Sequence, residues 1–191
     1  MRAYTINAIG DRPQLTDIAV PEPAAGQVRI DIKACGLNFA DLLMQSGTYQ
    51  DTPPAPFTLG MEVSGVVSAL GPDTKGANIG DRVAVFGGQG GLAEHGCYDV
   101  SRLLPLPDTM DFETAAAFQI AYGTSHVALG YRARLQPGET LLVLCAAGGV
   151  GLPDLDQHVG LRPSVFVQHP DQPFEISGAR RVIRGDDGLI C

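Results

Sequence analysis

Cysteine is scarce in this sequence, and the few cysteines lie far apart. Four occur in 191 residues, and no two of them form a CxxC pair. Closely spaced cysteines hold most structural zinc ions and form the disulfide frameworks of small secreted domains, so this spacing excludes both arrangements. We expect reduced thiols that serve as packing residues. The cysteines are Cys35, Cys97, Cys145 and Cys191.

Basic charge and long apolar runs are also in short supply. The chain carries 13 Lys and Arg against 21 Asp and Glu, a formal net charge of −8. This excess of acidic residues argues against nucleic acid or an anionic membrane as the main partner. The longest apolar run, LLVLCAA, is too short to span a bilayer, and the opening MRAYTINAIGD lacks the apolar core of a secretory signal. We therefore expect a cytoplasmic enzyme.

Glycine and proline are abundant, at 24 and 14 residues, and they separate short segments that have the pattern of β-strands. In GQVRIDIKACG, Val28 and Ile30 alternate with Arg29 and Asp31, which predicts an antiparallel strand with one face toward water. The segments EVSGVVSAL, DRVAVFG, HGCYDV and RLLPL are further strand candidates. Short strands at this spacing predict a partly closed barrel.

A short helix is predicted after the first long strand. The segment FADLLMQSG places Phe39, Leu42 and Leu43 on one apolar stripe, which is typical of a helix that packs on one side. The helix is expected to end near Gly47, because glycine commonly follows the last helical residue. The proline-rich segment TPPAPF that comes next predicts a loop.

The composition changes after Pro107 to DFETAAAFQIAYGTSHVALGYRARL, in which alanine and leucine are frequent. Asp111 is suited to cap a helix whose first turn includes Glu113, because carboxylates are favoured at the positive end of the helix dipole. Gly123 and Thr124 predict a break into two helices, with Thr124 as the cap of the second.

The segment PGETLLVLCAAGGVGL has the pattern of a turn, a buried parallel strand and a glycine-rich turn, which opens a dinucleotide-binding fold. Beyond Pro153, repeated prolines leave room for only a turn or two of the expected helix. We predict a substrate domain over residues 1–110, connecting helices and the start of a nucleotide-binding domain over 111–152, and an atypical tail over 153–191. The loss of pattern suggests a truncated, rearranged or frameshifted reading frame.

Five motifs occur in the order and spacing of one enzyme family: ACGLNFAD, PFTLGMEVSGVV, GDRV, AAAFQIAYGTSHVAL and LLVLCAAGGVG. With them, residues 1–152 resemble the zinc-independent quinone oxidoreductases, the zeta-crystallin-like branch of the medium-chain dehydrogenase/reductase superfamily. The resemblance implies an α+β fold. Its parts are a GroES-like, partly open β-barrel with flanking helices, and then the first strand and glycine turn of an incomplete Rossmann α/β domain.

The residues at two positions argue against zinc. In zinc-dependent relatives, the position of Asn38 holds a cysteine ligand and that of Met61 a histidine ligand. An amide and a thioether are poor zinc ligands, and Glu62 alone does not make a site, because catalytic zinc normally has three protein ligands. The histidines show no spacing that suggests a metal site or a triad, so we expect structural roles for them. They are His95, His126, His158 and His169.

The resemblance places three candidate catalytic residues beside the nicotinamide: Asn38, Asp41 and Tyr49. The Asn38 amide can donate to an acceptor oxygen or help to hold the cofactor, Asp41 can orient neighbouring donors, and Tyr49 can cap the pocket. Each residue also has a structural alternative. Asn38 can bridge a strand-to-helix turn, Asp41 can be a first-turn charge that the helix dipole favours, and Tyr49 can be a packed aromatic.

The resemblance implies NADPH as the cofactor. Thr124 matches a position that contacts the nicotinamide side in similar proteins, with a helix cap as its structural alternative. The glycine turn lets the backbone approach a pyrophosphate that faces the amides of the next helix. We find no strand to carry the residue that separates NADH from NADPH, so that choice rests on the resemblance. The residues of the turn are Ala147, Gly148, Gly149, Val150 and Gly151.

By this resemblance, the expected function is zinc-independent, NADPH-dependent reduction of quinones or activated enones by hydride transfer. The partner is then a small molecule, with neither nucleic acid nor a membrane, and a homodimer is left open. The alternative is a non-catalytic GroES-like barrel that acts as a binding or self-association module, because most of the nucleotide domain has no counterpart. A zinc alcohol dehydrogenase is a weaker third interpretation, which Asn38 and Met61 disfavour. Cofactor binding distinguishes the first two.

Overall fold

A computed structural model of the protein describes residues 1–136. Within them the chain forms eight β-strands, two α-helices and two short helical segments of other types. The strands are β1 (Arg2–Ile6), β2 (Gln14–Asp17), β3 (Gln27–Gly36), β4 (Phe57–Thr58), β5 (Glu62–Leu70), β6 (Arg82–Phe86), β7 (His95–Asp99) and β8 (Leu103–Pro105). The helices are α1 (Phe39–Ser46) and α2 (Phe112–His126), with a 3-10 turn at Val100–Arg102 and a π-helical segment at Val127–Arg132.

The strands form two open sheets in which every described strand pair is antiparallel. One sheet has the order β2-β1-β4 and the other β7-β3-β5-β6-β8. A bridge between Ala3 and Ala93 joins β1 to the segment before β7, and the Tyr4 amide donates to the Leu92 carbonyl at 2.8 Å. Neither sheet closes on itself, which confirms the predicted partly open barrel.

The strand β3 is an inner strand of the larger sheet, and its alternating pattern decides which side chains enter the core. Val28 and Ile30 are fully buried, while Arg29 between them stays partly exposed, as a period of two requires. Each such burial contributes about 1.5–3 kcal/mol. The pairing with β5 shifts between Ile32 and Ala34, a bulge at which the alternation weakens. The core comprises Val28, Ile30, Val63, Val67, Val83, Val85 and Tyr98.

All the strands predicted within residues 1–136 occur, and three further strands there were not predicted; the predicted parallel strand of LLVLCAA lies outside the described residues. EVSGVVSAL forms β5, and the other candidate segments form β6, β7 and β8. The strand β2 has no buried residue and β4 has two residues, so neither shows an apolar alternation. The strand β1 buries Ala3, Thr5 and Ile6, of which only Ile6 is a large apolar side chain, so its alternation carries little signal. These three strands form the smaller sheet.

The helix α1 occurs where it was predicted and ends at Gly47, which has a left-handed φ of 74°. The predicted apolar stripe does not form its buried face. Phe39 is 63% exposed and Leu42 is 59% exposed, whereas Asp41 and Met44 are buried. The helix has eight residues and packs through the single row that Asp41 and Met44 define, so the larger apolar side chains face outward.

The helix α2 begins as predicted but does not break where a break was predicted. The Thr114 amide donates to Asp111 Oδ1 at 2.6 Å, which confirms Asp111 as the cap. The helix then runs through Gly123 and Thr124 to His126, so Thr124 caps no second helix. A glycine inside a helix costs only about 1 kcal/mol, less than a run of alanine and other helix-forming residues can supply.

Residues Met1–Gln119 form one compact unit, and a second unit begins at Ile120. The predicted domain boundaries at residues 110 and 152 stay predictions, and the predicted glycine turn and atypical tail lie outside the described residues. Among the helices of residues 1–136, none is long and apolar enough to cross a bilayer.

Candidate active site

Asn38 lies one residue before α1 begins. Its backbone is extended, with φ −127° and ψ 151°, as is usual for the residue that precedes a helix. Its backbone N–H donates to Asp41 Oδ2 at 2.9 Å, so a carboxylate in the first turn satisfies a donor at the start of the helix. The helix dipole also favours a negative charge at that position.

Asp41 also binds a second segment of the chain. The Gly60 N–H donates to Asp41 Oδ1 at 3.0 Å, which links α1 to the loop that leads into β5. Gly60 has a φ of +97°, and a Cβ added there would lie 2.5 Å from the backbone nitrogen of Leu92 and 2.7 Å from Cys35 Sγ. Only glycine fits this conformation and this close approach.

The side chain of Asn38 binds Glu62, the first residue of β5. Asn38 Nδ2 donates to Glu62 Oε1 at 3.0 Å, and Glu62 is only 2% exposed. Glu62 was not predicted as a site residue. The available signal was its place in the motif PFTLGMEVSGVV, directly after the position that holds a histidine ligand in zinc-dependent relatives.

The surroundings of Asp41 give it an orienting role. Burial raises the pKa of its carboxyl above the usual 3.8, against the two backbone hydrogen bonds from Asn38 and Gly60, which lower it. Each carboxyl oxygen accepts from one of these amides, and the side chain is buried. Asp41 therefore orders the turn around Asn38, while its role in the site stays a prediction.

Cys35 lies close to the same two carboxylates. Burial, with the negative charges of Asp41 and Glu62, raises the pKa of its thiol from 9.0 to about 12. Its Sγ donates to the Gly36 carbonyl at 3.5 Å, and the thiol is free. A thiol held protonated is a poor nucleophile, so Cys35 acts as a packing residue, as expected from the sequence.

The structure does not bring Tyr49 into this hydrogen-bonded group. Tyr49 follows α1 and is half-buried, and its carbonyl accepts from Thr52 Oγ1 at 2.6 Å. Within residues 1–136, the Tyr49 hydroxyl makes no hydrogen bond to Asn38 or Asp41. Thr124 lies in the helix α2. The predicted phosphate turn lies outside the described residues; it comprises Ala147, Gly148, Gly149, Val150 and Gly151.

The two positions that bear on zinc adjoin the Asn38–Glu62 contact. Met61 is buried, at 3% exposure, and Glu62 is its neighbour in the chain. No group of three His, Cys, Asp or Glu that could hold a metal ion is found among residues 1–136. His95 is used elsewhere, where its Nδ1 lies 2.8 Å from Asp31 Oδ1 on the adjacent strand.

Exposed apolar side chains flank Asn38 in the sequence. Leu37 is 77% exposed and Phe39 is 63% exposed, and Leu42 follows one turn later on α1. Asn38 itself is half-buried. A polar amide of fixed orientation beside open apolar surface has the composition of a ligand-binding surface.

Comparisons with known proteins agree with the fold and the site. Residues 24–108 match the family model of the alcohol dehydrogenase GroES-like domain. Over 146 residues the chain is 42% identical to quinone oxidoreductase-like protein 2 of Rattus norvegicus, a match that covers 76% of this chain and 42% of that protein.

Two crystal structures are also similar. Human synaptic vesicle membrane protein VAT-1 homolog-like protein superposes with a TM-score of 0.79 at 39% identity, covering 87% of this chain and 54% of that one. The quinone oxidoreductase of Thermus thermophilus, whose structures include a complex with NADPH, gives 0.76 at 38% identity, covering 90% and 55%. The chain thus spans only about half the length of its relatives.

The open barrel and the family match define a GroES-like domain of the alcohol dehydrogenase type. The chain is similar over most of its length to quinone oxidoreductase-like and VAT-1-like proteins of the medium-chain dehydrogenase/reductase superfamily. The predicted resemblance and the predicted GroES-like fold class are both confirmed.

Proposed function

We propose that the protein reduces quinones or activated enones with NADPH and without zinc. The observation that carries this proposal is the hydrogen bond of 3.0 Å between Asn38 Nδ2 and Glu62 Oε1. The amide in this bond is held by a carboxylate and precedes the buried thioether of Met61 in the chain; the resemblance implies that zinc-dependent relatives hold a ligand at each of these two positions. Neither an amide nor a thioether is a good zinc ligand, so the site has to act by positioning.

NADPH, when bound, would supply a hydride from C4 of the nicotinamide to the conjugated acceptor and would become NADP⁺. The acceptor would also take up a proton from solvent. The residues of this chain would do the positioning. Asn38 offers hydrogen-bonding groups at the edge of the ring, and Leu37 and Phe39 offer exposed apolar surface to its face. Asp41 and Glu62 hold the Asn38 backbone and side chain in place.

Two relatives that have been crystallised with NADPH support the cofactor. One is the quinone oxidoreductase of Thermus thermophilus, and the other is a mycobacterial protein that is 31% identical to this chain with a TM-score of 0.79. In this chain the proposed contacts are Thr124 and residues 147–151. The cytoplasm as location, the small-molecule partner and a homodimer belong to the same proposal.

A chimera tests the proposal. Residues 1–152 are joined to the matching C-terminal region of the Thermus thermophilus enzyme, and quinone-dependent NADPH oxidation is followed with and without a zinc chelator. We expect turnover that the chelator leaves unchanged and that Asn38→Ala lowers by about tenfold or more. A folded chimera that binds NADPH but reduces neither a quinone nor an enone would refute the proposal.

The 191-residue chain by itself provides the matched comparison. We expect weak NADPH binding or none, because a phosphate turn supplies only part of the binding free energy and the 191-residue chain spans only about half the length of its relatives. Fluorescence titration measures it. A chain that binds no cofactor, together with an inactive chimera, would favour the alternative of a non-catalytic binding module.

A further inference from the structure

The Asn38 side chain has two N–H donors on Nδ2 and one acceptor, Oδ1, and Glu62 holds one of the donors. Asn38 Nδ2 lies 3.0 Å from Glu62 Oε1. An ionised carboxylate only accepts hydrogen bonds, so the amide nitrogen and not the carbonyl oxygen must face it. Because the amide group is planar, this choice turns Asn38 Oδ1 to the opposite side.

The side chain of Glu62 lies in closely packed surroundings. The residue pairs with Gly36 on β3 and with Phe86 on β6, inside the larger sheet. A Cβ added at Gly36 would lie 2.5 Å from Glu62 Oε1 and 2.6 Å from the Ala116 carbonyl oxygen. The absence of a side chain at Gly36 therefore makes room for the carboxylate, which is 2% exposed.

The backbone of Asn38 is fixed independently of its side chain. Asp41 Oδ2 accepts from the Asn38 backbone N–H at 2.9 Å, and Asp41 is itself tied to Gly60. Two carboxylates on different elements thus hold the two ends of one residue. Rotation about the Asn38 side-chain bonds would break the hydrogen bond between Nδ2 and Glu62 Oε1, so the amide has one preferred orientation.

We infer that Glu62 is a positioning residue that sets the orientation of the Asn38 amide: the carboxylate holds one Nδ2 N–H, and Oδ1 is turned away from β5 toward the first turn of α1, the side of the capping box with the Asp41 backbone N–H. The second Nδ2 N–H keeps a fixed direction and stays available to a ligand oxygen. The assignment of that oxygen to the quinone or to the nicotinamide carboxamide rests on the proposed function.

The orientation is tested on the 191-residue chain without any cofactor. Side-chain amide protons are followed by NMR in ¹⁵N-labelled wild-type protein, with exposed Asn7 as the internal reference. We expect one Asn38 Nδ2 proton to exchange about tenfold more slowly than those of Asn7, because it is held by a buried carboxylate. Glu62→Gln should remove this protection, since glutamine can donate as well as accept. The surface variant Glu113→Gln should leave it intact.

Exchanging the donor at position 38 with the acceptor at position 62 tests the same contact through the folding equilibrium of the variants. Asn38→Asp alone places two carboxylates against each other, whereas Asn38→Asp with Glu62→Gln restores a donor and an acceptor of the same shapes. We expect the double variant to recover most of the folding equilibrium constant that Asn38→Asp loses. This comparison still decides the question if Glu62→Gln alone does not fold.

Two results would overturn the inference: Asn38 amide protons that exchange as fast as those of Asn7, or additive losses in the double variant. Neither measurement depends on NADPH. An oriented Asn38 in a protein whose chimera reduces no quinone would therefore refute the proposed function and leave the orientation standing. An active chimera whose Asn38 amide protons exchange without protection would refute the orientation and leave the proposed function standing.

Discussion

The guanidinium of Arg82 lies over the ring of Phe112, with Cζ 4.6 Å from the ring centroid. The same side chain donates from Nη1 to the Asp108 carbonyl at 3.1 Å and from Nη2 to the Met110 carbonyl. The Ser64 hydroxyl on β5 donates to the carbonyl of Phe112. Arg82 on β6 therefore holds the segment that leads into α2 against the larger sheet.

Replacing Arg82 with alanine should destabilise the fold by about 2 kcal/mol or more, because it removes a cation–π contact and two charge-assisted hydrogen bonds. Urea denaturation measures the change in the free energy of unfolding. The matched control is Arg12→Ala, an exposed arginine, which should change it by no more than about 0.5 kcal/mol. Equal effects of the two variants would show that the Arg82 contacts contribute nothing.

Replacing Gly60 with alanine should cost more stability than replacing Gly10 with alanine. Both glycines have a left-handed φ, +97° and +89°, so both variants carry backbone strain of about 1 kcal/mol or more. Only at Gly60 would the new Cβ lie 2.5 Å from a backbone atom, the nitrogen of Leu92. Thermal unfolding of the two variants compares them. A Gly60 variant as stable as the Gly10 variant would contradict the close approach.

The aspartates should titrate in a defined order. Burial raises the pKa of Asp41 above 3.8, whereas hydrogen bonds from Ser68 and His95 lower the pKa of Asp31 below it. Asp41 binds its proton more readily in the folded state, so its contribution to stability grows as pH falls through its raised pKa. Asp31 contributes stability above its ordinary pKa and loses that contribution as pH falls through its lowered value.

Carboxyl ¹³C shifts followed from neutral to acid pH measure this order directly. Asp41 should titrate first, at a higher pH than Asp31. Asp31→Asn serves as the assignment control, and it should also remove the part of the acid dependence of stability that Asp31 provides. An Asp41 that titrates below Asp31 would show that its two backbone hydrogen bonds outweigh its burial.

The Cys35 thiol should resist alkylation in the folded protein. Its pKa is raised from 9.0 to about 12, and each unit lowers the thiolate fraction about tenfold, so reaction near pH 8 should slow about a thousandfold relative to an unperturbed thiol. Mass spectrometry after iodoacetamide treatment, in native buffer and in urea, measures the protection. Labelling of Cys35 at the same rate in both conditions would contradict a buried, protonated thiol.

The larger sheet could be predicted from the sequence because its strands alternate cleanly or form continuous apolar runs. The strand β5 was predicted to the residue, and Val28 and Ile30 of β3 were placed on the buried face. The smaller sheet could not be predicted, because β2 and β4 carry almost no apolar pattern and gain their structure by pairing with β1. The outward face of α1 was likewise decided by what packs beneath it.

The motifs alone indicated the family resemblance and the position of Asn38 before a helix. They also showed that Asn38 and Met61, at two ligand positions of zinc-dependent relatives, are poor zinc ligands. The sequence could not reveal what the Asn38 side chain binds, because its partner Glu62 lies 24 residues away in the chain. Strand pairing brings β5 beside the end of β3, and only then do a buried carboxylate and the amide of the residue that precedes α1 lie 3.0 Å apart. Hydrogen bonds between distant segments depend on the packed fold, and no local pattern encodes them.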